Sequence, residues 1–215
     1  IFLPRTNFDA QEKSRIIIES EIIKEGFKIY GWRHVPINTK ILGEKAKATL
    51  PEIEQILICN EKYTNELELD DKLYLVRKRI EKKINENNIS DFYICSFSSQ
   101  SIIYKGMFLA EQLSNFYLDI EDRRFVSKFA VYHQRYSTNT FPTWSLAQPF
   151  RIIAHNGEVN TLKGNKNWMK AHEPRMSHPN FNNTIDDLKP IIDNSASDSA
   201  ALDATIELLV HSNRT

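Results

Sequence analysis

The chain has 215 residues, and its 28 Lys and Arg balance 28 Asp and Glu, so the formal charge is zero. That balance excludes a domain whose main task is gripping nucleic acid, which needs a basic excess. The composition, 41% hydrophobic and 26% charged, is that of an ordinary folded protein, and no apolar run exceeds four residues, too few for a membrane-spanning helix.

In chain order, Asp9 to Glu25 has the spacing of an amphipathic helix, with Ile18 and Ile22 four apart, Ile16 and Ile23 seven apart, and Gly26 as a stop. Phe27 to Val35 reads as a strand entering a turn at Pro36, and Ile53 to Cys59 as a second strand. Asp70 to Asn87 is a charged helix whose stripe of Leu73, Val76, Ile80 and Ile84 is expected to be buried. Its basic residues are interleaved with acids, which fits a solvated face. From Asp91 the texture changes. Phe92 to Phe97 and Ile102 to Tyr104 read as a hairpin around Ser98 to Ser101, followed by a helix near Glu111 to Leu118. Phe125 to Tyr136 and Phe150 to His155 read as strands, Glu158 to Lys170 as a helix. Asp198 to His211 is a strong helix with Ala201, Leu202, Ile206, Leu209 and Val210 on one side and Ser195 and Ser197 as N-terminal caps. Six Gly and eight Pro never cluster into a linker, so residues 1–215 are expected to form part of one antiparallel α+β domain.

Three polar segments stand out. In His133 to Trp144, Arg135 follows a run of core-like residues, and its planar fork suits a carboxylate, although a surface ion pair would also explain it. In Ala154 to Thr161, Asn156 and Gly157 follow a strand; a side-chain amide and a backbone N–H pointing the same way can hold an oxyanion, and can equally be a plain turn. In Ser195 to Asp203, Asp198 opens a helix, where it could cap or could bind an ammonium group. Taken together, a grip for a carboxylate, one for an ammonium and donors for an amide oxygen make a receptor for glutamine.

The stretch from His133 to Pro174, with GWRHVP at 31–36, FYICSFSSQSIIYKGM at 92–107 and SDSAALD at 197–203, resembles the glutaminase domain of the glutamate synthases, a class II, N-terminal-nucleophile amidotransferase type. The resemblance implies an αββα four-layer sandwich of antiparallel sheets. It implies that Arg135 binds the glutamine α-carboxylate and Asp198 the α-ammonium, that Asn156 and Gly157 form the oxyanion hole, and that Tyr136, Ser137, Thr138 and Asn139 line the pocket. An N-terminal Cys would form a glutamyl thioester and release ammonia, which a distant synthase site would add to 2-oxoglutarate. FMN and an iron–sulfur cluster are implied for other domains of the same chain. Ferredoxin or a reductase subunit would supply electrons, in the cytoplasm or the plastid stroma.

The sequence departs from that pattern where the nucleophile belongs. Residue 1 is Ile, so the chain reads as an internal piece whose Cys lies upstream, inactive as it stands and not expected to fold well alone. Cys59 and Cys95 sit in apolar runs and read as small core residues. His133, His155 and His172 lack a ligand cluster, so no metal is expected, and Trp32, Trp144 and Trp168 read as core or pocket wall. Two alternatives remain open: a glutamine-sensing or scaffolding module without catalysis, and an amidotransferase with another acceptor.

Overall fold

The computed structural model describes residues 1–134, 141–181 and 183–212. Its organising unit is a three-stranded antiparallel sheet in the order β1-β3-β2, with β1 at Phe2–Leu3, β2 at Lys28–His34 and β3 at Glu52–Cys59. Phe2 pairs with Ile53 and Trp32 with Ile56. Two long helices cover this sheet. Helix α1 (Phe8–Glu25) starts where the Asn7 side chain accepts the Ala10 N–H, and stops at Gly26, whose φ of 94° is easy only for glycine. Helix α2 is a short piece at Glu44–Ala48. Helix α3 (Glu66–Glu86) is capped by Asn65, and Leu73, Val76, Ile80 and Ile84 are buried as their spacing predicts.

Between α1, α3 and the sheet lies a core of Leu3, Ile18, Ile22, Phe27, Val76, Ile80 and Ile94. Ile16 and Ile23 share a face, but it is the solvent face; Ile17, Ile18 and Ile22 are the ones buried. A second cluster holds Phe2, Val35, Leu50, Phe116, Tyr117 and Trp144, and a third, of Tyr74, Leu75, Phe181, Leu188 and Ala201, joins α3 to the last helix. Trp144 is core as expected, whereas Trp168 is largely exposed.

The expected hairpin at 92–104 does not form. Tyr93 makes one two-way bridge to Phe2, Ser99 N–H is taken by the Asp70 carboxylate, and Ile103 N–H by the Ser96 hydroxyl, so side chains satisfy donors that a ladder would have used. The helix expected near Glu111 to Leu118 is broken into α4 (Leu113–Phe116) between 3-10 turns at Ala110–Gln112 and Leu118–Glu121. The strand expected from Phe125 to Tyr136 does not form in its described part, residues 125–134. The one expected from Phe150 to His155 is a turn: Phe150 N–H reaches Ile153 O at 2.9 Å. Helix α5 (Leu162–His172) begins four residues later than its pattern suggests, at a Thr161 in the left-handed region.

Helix α6 (Asp198–His211) has the expected bounds. Ser197 caps it by accepting the Ala200 N–H, while Ser195 instead bonds Asp193. Leu209 and Val210 are exposed, because the helix buries a polar face carrying Asp198, Ser199, Asp203 and Glu207. Buried carboxylates are tolerated only with partners. Here the partners define the region described next.

Candidate functional site

The N-terminal turn of α6 is packed against the segment that carries His155, Asn156 and Gly157. Asp198, 4% exposed, accepts the Ser199 N–H at 2.7 Å and the Val159 N–H at 3.1 Å. The second bond ties the proposed ammonium-binding carboxylate to the chain two residues beyond Gly157. Ser199 Oγ lies 3.4 Å from His155 Nδ1. The Gln148 side chain brackets the backbone of His155 from the other side, its amide donating to His155 O and its oxygen accepting His155 N–H, both at 2.7 Å. A segment pinned on two sides leaves its next two residues at the surface: Asn156 and Gly157 are both exposed. Gly157 has a steric reason to lack a side chain, since a Cβ there would lie 2.8 Å from the His155 ring.

A second carboxylate on α6 holds the approach to this turn. Asp203 accepts three consecutive backbone N–H groups, from Arg151 at 3.2 Å, Ile152 at 2.9 Å and Ile153 at 3.0 Å. Burial raises its pKa, a shift that the Ile152 N–H and the Arg151 guanidinium partly offset. The Arg151 side chain turns away to Ile94 O and to Glu81 Oε1, both at 2.8 Å. Glu81 also takes Arg77 at 2.7 Å, and Arg77 reaches Glu207 on α6. Burial alone would raise the Glu81 pKa, but Arg77, Arg151 and Lys78 outweigh it and hold the group down at about 2. This network borders a cavity of about 500 Å³ between α3, α6 and the segment around Trp144.

Of the residues singled out in the sequence, Asp198 and the 156–157 turn are therefore brought to one end of α6. Arg135, Tyr136, Ser137, Thr138 and Asn139 lie outside the described residues. Cys95 is packed in the core beside Phe2 and Trp144, and Cys59 ends β3 opposite Lys28. The sequence gives Gln148 and Asp203 no marked role, and Arg77, one of the α3 basic residues expected on a solvated face, is instead 2% exposed and belongs to the Arg77–Glu81–Arg151–Glu207 network. A signal was present: Asp203 and Glu207 stand one turn apart on the face of the helix that also carries Asp198 and Ser199. Among the described residues, one group has the composition of a metal site, His34, Glu52 and Glu54 on the sheet. A cation already sits there, since Arg15 contacts both Glu54 oxygens, at 2.6 and 3.0 Å.

Among the described residues no helix is long and apolar enough to cross a membrane. The family model for class-II glutamine amidotransferases matches residues 1–215. The chain is 60% identical over 215 residues to the glutamate synthase [NADPH] large chain of Azospirillum brasilense. It is 42% identical over 216 residues to the chloroplastic ferredoxin-dependent glutamate synthase of Spinacia oleracea, and 45% over 216 to ferredoxin-dependent glutamate synthase 2 of Synechocystis. Each alignment takes in the whole chain, which spans 13–14% of the length of these relatives.

Proposed function

Because this chain belongs to the class-II glutamine amidotransferases, we propose that it is part of the glutaminase domain of a glutamate synthase and binds glutamine at the N-terminal end of α6. Asp198 would take the α-ammonium and Arg135 the α-carboxylate, with Tyr136, Ser137, Thr138 and Asn139 lining the pocket. The Asn156 side-chain amide and the Gly157 N–H would receive the oxygen of the side-chain carbonyl as it becomes an oxyanion. Donors fixed in advance stabilise that charge without reorganising, the main reason such sites work.

The attacking thiol would come from an N-terminal Cys outside these residues, because Cys59 and Cys95 are committed to the sheet and the core. Its sulfur would add to the amide carbon, ammonia would leave with a proton relayed by the cysteine's own α-amine, and water would then cleave the thioester to glutamate. The ammonia would pass to a synthase site that aminates 2-oxoglutarate. Two cysteines so placed cannot ligate an iron–sulfur cluster, so that cluster and FMN would belong to other domains. Electrons would come from ferredoxin or a reductase subunit. In the complete domain the run at 125–134 would join a second sheet, giving the αββα sandwich. The compartment would be the cytoplasm or the plastid stroma, the latter in keeping with the chloroplastic plant relatives.

The observation that carries this reading is the Asp198–Val159 bond, which couples the proposed ammonium grip to the proposed oxyanion donors. The test is made in the complete enzyme. Asn156→Ala should lower glutamine-dependent kcat on the order of 10²-fold, the usual cost of losing one oxyanion donor. Arg135→Ala should mainly raise the KM for glutamine, and both variants should keep their use of free ammonia. Undiminished glutaminase turnover in Asn156→Ala would remove that residue from the role.

A further inference from the structure

We infer that Asp203 is a positioning residue, which fixes the Asn156–Gly157 turn relative to Asp198 by holding the backbone just ahead of that turn. The inference rests on the reading of Asn156 and Gly157 as oxyanion donors and goes beyond it, because Asp203 touches neither glutamine nor the reacting atoms.

Asp203 is 2% exposed, and its carboxylate faces backbone. Burying a carboxylate is costly unless hydrogen bonds replace its water. Three successive N–H groups converge on it: Ile152 and Ile153 on Oδ1, Arg151 on Oδ2. Such a concave row of amides is a natural anion cradle, but here the anion belongs to the protein and the backbone is what it holds. Phe150 N–H to Ile153 O closes the same turn from inside. Two residues after Ile153, Gln148 clamps His155. The chain is thus held at 151–153 and at 155, and the next two residues are the donors.

The far end of the hold matters as much. Asp203 and Asp198 are on one helix, five residues apart, about 7.5 Å along its axis. Asp198 meets the chain at Val159 and Asp203 meets it at 151–153, so α6 grips the segment on both sides of Asn156. A catalytic donor displaced by about 1 Å can lose 10²-fold in rate. A carboxylate that holds the donors' backbone therefore acts on turnover more than on affinity.

The test uses the complete enzyme. In Asp203→Ala, glutamine-dependent kcat should fall 10- to 100-fold, the range seen when a supporting shell is removed. The KM for glutamine should stay within about threefold and ammonia-dependent synthesis should be unchanged. Asp203→Asn keeps the oxygen that serves Ile152 and Ile153 and loses only the bond from Arg151, so it should recover most of the turnover. If Asp203→Ala does not fold, Asp203→Asn still carries the test through a kcat decrease of a few-fold at constant KM. In Asn156→Ala/Asp203→Ala, the loss should be well below the product of the two single losses, because one of the two donors through which Asp203 acts is already removed and only the Gly157 N–H remains. Parental kcat in the folded Asp203 variants overturns the inference, as does a double variant whose losses multiply. Equal loss of glutamine- and ammonia-dependent activity in both Asp203 variants would also overturn it, as a purely structural role. Failure of the underlying reading looks different: there Asn156→Ala itself keeps parental turnover.

Discussion

Lys105 is a buried cation with little to hold its charge. It is 2% exposed, donates to Ser145 O at 2.8 Å, and lies 4.4 Å from the Tyr93 ring and 5.0 Å from that of Phe150. Burial pushes its ammonium down to about 7, against an ordinary value near 10.4. The unfolded chain therefore binds the extra proton between about pH 7 and 10.4. Stability contributed here rises with pH across that window, and below it the cost of burying the charge is present in full. Lys105→Met should abolish that rise and add about 1–3 kcal/mol at pH 7, read as urea midpoints at pH 7 and pH 10. An unchanged pH slope would show that the amine is not what titrates.

Between elements, one buried polar tie runs from α3 to α6. Arg77 and Glu207 have side chains 3% and 8% exposed and pair at 2.5 Å. Removing one member of a buried pair costs about 3–5 kcal/mol, because the other stays charged and dry, whereas an apolar pair of similar volume is often neutral. In Glu207→Ala, Arg77 keeps Glu81 at 2.7 Å, so the loss should lie at or below about 3 kcal/mol, and Arg77→Met/Glu207→Leu should restore most of it, since Glu81 keeps Arg151 at 2.8 Å. Equal losses in the two variants would mean that packing, not charge, joins these helices. The elements differ in how plainly the sequence declares them. Helices α1, α3 and α6 are legible as helices because caps are local properties, but only α3 in its buried stripe, and β2 and β3 are legible because each is bounded by turn residues. The 92–104 region misleads because Asp70 and Ser96, distant in sequence or outside the alternation, supply its hydrogen bonds. The Phe150 to His155 run misleads for the same reason, since Asp203 lies 50 residues away. Of the proposed site, Asp198 and Asn156–Gly157 are legible as motif residues. Asp203 and Gln148 work through backbone contacts, which leave no pattern of their own.

On the scale of the molecule, three apolar clusters coexist with a run that has no cover. Val126 is 85% exposed, Phe129 78% and Tyr132 75%, on a stretch that forms no strand. Such a run is a template for pairing with other chains. The 215 residues prepared alone should bind a hydrophobic dye and self-associate, and Phe129→Lys with Val131→Lys should reduce both. A dye-free monomer in size-exclusion chromatography would contradict this. Within the better-packed half, one feature reaches into chemistry. With Asp198 and Asp203 fixed on the same rigid helix, the gap between the grip on an amino group and the pair of oxyanion donors cannot stretch. On the proposed assignment α6 is a gauge of side-chain length: asparagine, one methylene shorter, would either anchor its amine and fall short of the donors or reach them with its amine adrift. Selectivity would then come from a fixed spacing rather than from any group that recognises the methylenes.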